Sequence, residues 1–293
     1  LIPGSGDNAK WDIRVVPNRF AALSMDEINI PGTQGSLHRG LPGIGIHEVI
    51  IDNPSHNTTI AMMSYRQVDN LLAAYQNRYN ALKADPRLRS ITIFKNHGRE
   101  SGTSLAHPHS QLIATPIITP YYHRRFDVAV DYYSDVGNCL YCDILDEELK
   151  NKERIVAENE DFVVFHPFAS RSSFETWIIP RIHNSSFGLL PEDQRSGLAV
   201  LLKDILLCLY RGLNNPAYNL MIDTSVTTDE DNPYYHWHIR IIPRLSMIAG
   251  FEIGSGIYIN TTLPEDSVKT LVNTARSLPD NECRSLKKKY ISK

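Results

Sequence analysis

The chain has 293 residues, of which 30 are basic and 33 acidic, and its formal net charge is −3. This balance disfavours nucleic-acid binding through a basic face. No apolar run reaches the roughly 18 to 20 residues that cross a bilayer, and the N-terminus lacks the pattern of a signal peptide. The composition therefore predicts a soluble, cytoplasmic protein of one large domain or two ordinary ones, without nucleic-acid or membrane partners.

The first half of the chain combines strand and helix patterns. A β-rich run, "GIHEVIID" (45–52), precedes a helical pattern over 65–86. A strand pattern, "SITIFKN" (90–96), and an apolar run, "HPHSQLIATP" (107–116), follow. These alternations predict an α+β unit.

The second half repeats this order. A β-rich run "SSFETWIIP" (172–180) precedes a helical pattern over 192–215, a strand pattern "YNLMIDTS" (218–225) and the run "HWHIRIIP" (236–243). The order favours an internal duplication over coincidence between two α+β halves. We therefore predict two modules, over residues 1–130 and 131–293.

Histidines occupy matching places in the two copies. His107 follows His56 by 51 residues, and His236 follows His183 by 53. Each copy contains a His-x-His doublet that leads into an apolar run ending in proline. Because side chains alternate along a strand, we expect the two rings of each doublet to share a face.

The four cysteines include one Cys-x-x-Cys pair, Cys139 and Cys142. With His183 and His236 they would complete a Cys2His2 set, which is typical of a closed, structural Zn²⁺ site. A redox role needs a thioredoxin-like βαβ context that the flanking sequence does not supply.

The equivalent histidines of the first copy, His56 and His107, predict a corresponding metal site. No cysteine precedes Cys139. We therefore expect that the remaining ligands lie upstream of Leu1 in a fuller chain, or that this first site has lost its metal.

One stretch carries a specific resemblance. "NHGRESGTSLAHPHSQ" (96–111) resembles the active-site motif of the galactose-1-phosphate uridylyltransferase family, a branch of the histidine triad superfamily. Four further stretches match in the family's order: "GIHEVIIDNPSH" (45–56), "FETWIIPRIH" (174–183), "YYHWHIRIIP" (234–243) and "GFEIGSGIYIN" (250–260). The resemblance implies tandem histidine-triad-like modules with antiparallel half-barrel sheets flanked by helices, a homodimer, and nucleotidyl transfer through a covalent histidine.

The resemblance also implies roles for individual residues. His109 would attack the α-phosphorus, because a neutral imidazole is a good nucleophile near neutral pH, and His107 would bind metal. Histidine triad hydrolases carry a third histidine where this chain has Gln111. An amide cannot shuttle a proton, so transfer is favoured over hydrolysis. Ser104 would donate a hydrogen bond to the leaving phosphate.

Other matching positions imply substrate contacts. Asn96, Gly98 and Gly102 would approach the phosphates or sugar, since glycines admit close backbone contact. Asn18 would contact the base. Phe251 and Glu252 would reach the sugar, although the sequence after Glu252 is glycine-rich and then β-like, unlike the helical pattern of the galactose enzymes.

The second doublet lacks the catalytic pattern. Arg240 stands where the first copy has Gln111. We expect His236 to bind zinc and His238 to be structural or to touch a partner subunit's substrate. A second independent catalytic centre is the alternative.

Three functions are compatible with these features. The first is transfer of UMP from UDP-glucose to a hexose 1-phosphate, with galactose 1-phosphate as the expected acceptor, by a ping-pong route. The second is an ADP-glucose or dinucleotide phosphorylase that passes adenylate to phosphate. The third is a nucleotide-binding protein without catalysis, which the intact set of His107, His109, Gln111 and Ser104 disfavours.

Overall fold

The structure, a computed structural model, describes residues 11–26, 43–103 and 105–288. Within these ranges the strands are β1 (Arg14–Pro17), β2 (Ile46–Ile51), β3 (Ser90–His97), β4 (His109–Thr115), β5 (Ile155–Glu158), β6 (Phe162–Phe165), β7 (Thr176–Pro180), β8 (Tyr218–Asp223) and β9 (His238–Pro243). The helices are α1 (Tyr65–Lys83), α2 (Pro120–Val136), α3 (Leu140–Asn151), α4 (Glu192–Gly212), α5 (Gly250–Ser255), α6 (Pro264–Ser277) and α7 (Arg284–Lys288).

The nine strands form one sheet, to which both copies contribute, in the order β1-β2-β4-β3-β8-β9-β7-β6-β5. Every pairing of named strands is antiparallel. The sheets of the two copies join where β3 pairs with β8, with Ile93 opposite Ile222. The α+β prediction is therefore confirmed, and the two copies share one continuous sheet.

The two long helices, α1 and α4, cover one face of this sheet. Helix α1 begins with a capping box, in which Ser64 and Gln67 satisfy each other's backbone N–H groups. Its apolar side chains recur three and four residues apart and are buried with those of α4 in the main hydrophobic core. No helix in the described ranges is long and apolar enough to span a membrane.

Strand alternation separates this core from the opposite face of the first-copy strands, which we call the site face. On β4, Leu112 and Ala114 are buried in the core, and Ser110 contacts Tyr75 of α1. Because side chains alternate, His109 and Gln111 lie on the site face.

Two local predictions were wrong. Each doublet was expected to lie within a strand, but β4 and β9 begin at their second histidines, His109 and His238, so His107 and His236 precede the strands. The sequence after Glu252 was expected to be glycine-rich and then β-like, unlike a helix, but Gly250–Ser255 is a short helix that Gly256 ends in the left-handed conformation, with φ 71°, and residues 257–260 form no strand. The predicted boundary between residues 130 and 131 stays a prediction and falls inside α2.

His166, just after β6, gives the fold a pH dependence. It is fully buried, Nδ1–H donates to the Glu175 carbonyl at 2.7 Å, and burial lowers the pKa of His166 to about 4. At pH values below the ordinary histidine pKa, the unfolded chain therefore binds more protons than the folded chain. The contribution of His166 to the free energy of unfolding is therefore complete above about pH 6.5 and is lost as the pH drops towards 4.

We expect the His166 term to remove about 2 kcal/mol of unfolding free energy between pH 7 and pH 5. His166→Asn, which retains an N–H donor for the Glu175 carbonyl, is expected to show a correspondingly smaller loss over this range. Urea unfolding of both proteins at the two pH values measures the difference. Equal losses would show that His166 does not titrate in this way.

Candidate active site

A cavity of about 340 Å³ lies where β3 ends and β4 begins. Asn96, Gly98, His107 and His109 all line it. Gly98 has φ 80°, and a Cβ atom there would lie 2.7 Å from that of Ala217, so only glycine fits. The structure therefore brings four of the predicted site residues together.

The geometry of His109 assigns its ring nitrogens. Its Nδ1 lies 2.9 Å from the backbone oxygen of His107, and this oxygen can only accept. Nδ1 is therefore the protonated nitrogen, and Nε2 keeps the lone pair. His109 is 6% exposed, so its ring is held by its surroundings while it lines the cavity.

A buried polar network lies behind His109, on the core side of the sheet. Lys95 Nζ donates to Asp52 Oδ2 at 2.6 Å and to the His109 carbonyl at 3.0 Å. The hydroxyl of Ser110 donates to Asp52 Oδ1 at 2.8 Å and contacts the hydroxyl of Tyr75. Lys95 and Asp52 were missed in the sequence, because their pairing depends on strand register.

On the site face, Gln111 contacts a histidine that the sequence analysis did not assign. Its Oε1 lies 2.9 Å from Nε2 of His47 on β2. Asn18, just after β1, places its amide 3.2 Å from Nδ1 of the same ring. The predicted base contact and the predicted transferase glutamine are thus joined through His47.

The predicted first metal pair is also close. Nδ1 of His56 and Nδ1 of His107 are 3.0 Å apart, and Nε2 of His107 lies 2.8 Å from the Asn53 carbonyl. Among the residues described, no further His, Cys, Asp or Glu joins them in a group of three. This pair alone does not make a complete zinc site.

The second predicted metal site is more complete. Single ligand atoms of Cys139, Cys142 and His183 lie within 4.8 Å of one another, a cluster that could hold a metal ion. Cys142 Sγ lies 3.3 Å from Nδ1 of His183 and 3.5 Å from Nδ1 of His236. The structure thus gathers three of the four predicted ligands in one cluster, and His236 contacts that cluster through Cys142.

The donors of this cluster suit a metal chemically. The hydrogen bond from Cys142 lowers the pKa of the Cys139 thiol below its ordinary value, which favours one thiolate in the pair, while the same contact raises the pKa of Cys142. Nε2 of His183 lies 3.0 Å from the Asn232 carbonyl, so the proton belongs on Nε2 and Nδ1 is free to bind a metal.

The second doublet has different surroundings from the first. His238 is fully buried, its ring stacks on Trp177 at 4.4 Å, and its Nε2 lies 3.5 Å from Asp223. Asp223 also pairs with Arg125 at 2.9 Å and Arg240 at 3.0 Å. Burial lowers the pKa of His238 to about 3. These contacts favour a structural His238.

The remaining predicted residues lie apart from His109. Phe251 and Glu252 are in α5, where Phe251 is exposed and Glu252 accepts a hydrogen bond from the Ala249 N–H at 3.1 Å. Glu252 lines a different cavity, of about 360 Å³. Gly102 ends a short turn with φ 87° and does not line the His109 cavity. Ser104 lies outside the described residues.

The second copy adds a residue to the first-copy site. Asn219 on β8 donates to Asn96 Oδ1 at 2.7 Å and to the Ser101 carbonyl at 3.0 Å, and its own oxygen accepts from Arg244 at 2.6 Å. No local sequence signal marks Asn219, since its contact arises only from the pairing of β3 with β8.

Both halves of the chain are similar to known proteins. Residues 6–119 and 125–268 match the N-terminal and C-terminal domains of galactose-1-phosphate uridyl transferase. An ADP-glucose phosphorylase from Arabidopsis thaliana is 37% identical, over 89% of this chain and 74% of its own length. A galactose-1-phosphate uridylyltransferase from Thermotoga maritima is 27% identical, over 90% of this chain and 85% of its own.

The fold comparison agrees as well. The crystal structure of an Arabidopsis thaliana ADP-glucose phosphorylase with bound ADP-glucose superposes with a TM-score of 0.82 and 34% identity, covering 95% of this chain and 86% of that one. The two matched domains and the duplicated sheet are those of a transferase class of enzymes. The chain belongs to the galactose-1-phosphate uridylyltransferase family.

The buried pair behind His109 gives a stability prediction. Lys95→Met leaves the Asp52 carboxylate buried without its cation, and we expect a loss of about 3–5 kcal/mol in unfolding free energy. The double variant Asp52→Asn, Lys95→Met removes both charges and is expected to lose much less. Urea unfolding measures both.

Lys83→Met is the matched control, because Lys83 pairs with Glu230 at 2.7 Å but is 26% exposed. We expect a smaller loss there. If Lys95→Met lost no more unfolding free energy than Lys83→Met, the expected cost of leaving the buried Asp52 carboxylate unpaired would be contradicted.

Proposed function

We propose that this enzyme transfers a nucleotidyl group from a nucleotide sugar through a covalent intermediate on Nε2 of His109. The observation that carries the proposal is the hydrogen bond from Nδ1–H of His109 to the His107 carbonyl at 2.9 Å. It leaves the Nε2 lone pair available in a cavity lined by Gly98 and Asn96.

In the first half-reaction, Nε2 forms a bond to the α-phosphorus. The bond from this phosphorus to the bridging oxygen breaks, and the sugar 1-phosphate leaves with the electron pair. The His107 carbonyl accepts from Nδ1–H and so stabilises the positive charge that the ring acquires. In the second half-reaction, an acceptor phosphate oxygen attacks phosphorus and returns the electron pair to Nε2.

Gln111 directs the intermediate towards a phosphate acceptor. Its NH2 group can donate to a phosphoryl oxygen, but an amide cannot accept a proton from water at neutral pH. Hydrolysis of the intermediate is therefore slow compared with transfer.

The similarity to relatives favours adenylate as the group transferred. Identity to the Arabidopsis ADP-glucose phosphorylase is 37%, against 27% to the Thermotoga uridylyltransferase over a similar share of this chain. We therefore propose ADP-glucose as donor and inorganic phosphate as acceptor. Transfer of UMP from UDP-glucose to a hexose 1-phosphate is the second candidate, supported by the match to both domains of that family.

We also propose that Cys139, Cys142, His183 and His236 bind Zn²⁺. Two thiolates and two imidazoles suit this ion, and a full set of protein ligands gives a structural site. When bound, the ion would fix α3 to the loops that precede α4 and β9. Chemistry at His109 does not pass through it.

A homodimer and a cytoplasmic location complete the proposal. Apolar side chains around α5 are exposed, including Met247, Phe251 and Ile253, which favours burial against a second copy. Phe251 could then reach the sugar in the partner's site. The cysteines at 139, 142, 208 and 283 are all unpaired, as is usual in a reducing compartment.

Intact-protein mass spectrometry tests the covalent step. The enzyme is mixed separately with ADP-glucose and UDP-glucose without acceptor. We expect a mass gain of one AMP from ADP-glucose, lost in His109→Ala and retained in His123→Ala, a control at an exposed histidine of α2. A gain of UMP alone would select the second candidate. No adduct with either donor, from folded protein, would contradict both.

Metal analysis tests the zinc proposal. Cys142→Ser is expected to lose about one zinc ion per chain relative to the unsubstituted protein, because one of four ligands is weakened. Cys208→Ser, at a buried cysteine of α4 outside the cluster, should keep its zinc. Equal zinc content in both variants would argue against this site.

A further inference from the structure

We infer that His47 is a positioning residue: it fixes the side-chain amide of Gln111 and thereby favours transfer to a phosphate acceptor over hydrolysis. This inference rests on the proposed function of His109. It concerns a side chain that does not line the His109 cavity and to which the sequence analysis assigned no role, although it lies in the matching stretch 45–56. Its support is a continuous run of hydrogen bonds along the site face.

The run begins at a group that can only donate. The backbone N–H of Phe20 donates to Oδ1 of Asn18 at 2.9 Å. Oδ1 of Asn18 is thereby assigned as the acceptor, so its Nδ2 is the donor that faces His47.

The tautomer of His47 follows from its contacts with Asn18 and Gln111 taken together. Asn18 Nδ2 lies 3.2 Å from Nδ1 and 3.1 Å from Nε2 of the His47 ring. Only an unprotonated ring nitrogen can accept from it. Nε2 lies 2.9 Å from Oε1 of Gln111, an oxygen that cannot donate, so Nε2 carries the proton and Nδ1 accepts.

The last step concerns Gln111. Because Oε1 accepts from His47, the Nε2H2 group of Gln111 is the part of the amide left to donate elsewhere. Gln111 shares the site face with His109, two residues away on β4. A phosphoryl group on His109 would therefore meet the NH2 donors of Gln111 in place of its Oε1.

Without His47, nothing in this run fixes the amide. The two orientations of a glutamine amide differ by a rotation of half a turn, and the reversed one would present Oε1 towards the phosphoryl oxygens. That oxygen repels them and accepts a hydrogen bond from water, so it both weakens the donor contact and holds water near phosphorus. Hydrolysis of the intermediate should then gain on transfer.

His47→Phe tests this, because it keeps a ring but removes both nitrogens. The covalent adduct is formed with the donor identified by mass spectrometry, and acceptor is added at a fixed concentration. Nucleoside monophosphate measures hydrolysis, and the acceptor product measures transfer. We expect the ratio of hydrolysis to transfer to rise about tenfold, the effect of losing one hydrogen bond to the reacting group.

Two variants serve as comparisons. His47→Gln retains an N–H donor for Gln111 and is expected to restore most of the original ratio. Ile113→Val lies opposite His47 in the pairing of β2 with β4, and removes a methylene from the same face without changing a hydrogen bond. Its ratio should equal that of the unsubstituted protein.

An adduct whose partition ratio is unchanged in His47→Phe would overturn the inference while leaving the proposed function intact. Absence of any adduct in the unsubstituted protein would overturn the proposed function, and this inference with it. Side-chain ¹⁵N NMR of the unsubstituted protein gives a check that does not depend on folding of a variant. A proton on Nδ1 of His47, with Nε2 unprotonated, would contradict the assignment.

Discussion

The ion pair between Lys95 and Asp52 fixes the place of His109, the proposed nucleophile. Both side chains are almost completely buried, with exposures of 2% and 0%. A buried ion pair of this kind adds little stability compared with apolar side chains of the same size, but it strongly penalises other arrangements. Here it ties the end of β2, through Asp52, to β3 and to the His109 carbonyl at the start of β4. The position of His109 follows from that three-strand junction.

The second copy has the same backbone arrangement but different side chains around its second histidine. At the matching start of β9, His238 is held by a buried charge cluster in which Arg125 and Arg240 both pair with Asp223. Burial alone would raise the pKa of Asp223, but the two arginines hold it well below its usual range. The Gln111 position has become an anchored Arg240. Duplication has therefore kept the backbone and changed the chemistry.

Sequence patterns predicted the parts of this molecule that depend on local order. Periodicity gave α1 and α4, and histidine and cysteine spacing gave the cluster of Cys139, Cys142 and His183. His47, Lys95 and Asn219 were missed, because each acts through a partner set by strand register far away in the chain. The helix Gly250–Ser255 was missed because its glycine-rich sequence is not typical of a helix, whereas the Glu252 side chain caps its first turn.

The register of strand pairing also explains why Gln111 alone does not determine the choice between transfer and hydrolysis. A glutamine in place of a histidine removes a proton shuttle, but it can present either a donor or an acceptor to the phosphoryl group. The choice is made by His47 on β2, which is oriented in turn by Asn18 after β1. Meanwhile Asn219, from the second copy, holds Asn96 at the other side of the cavity. The site therefore depends on the pairing of β1, β2, β4, β3 and β8 as a unit, so the copy that carries His109 is not structurally independent of its duplicate.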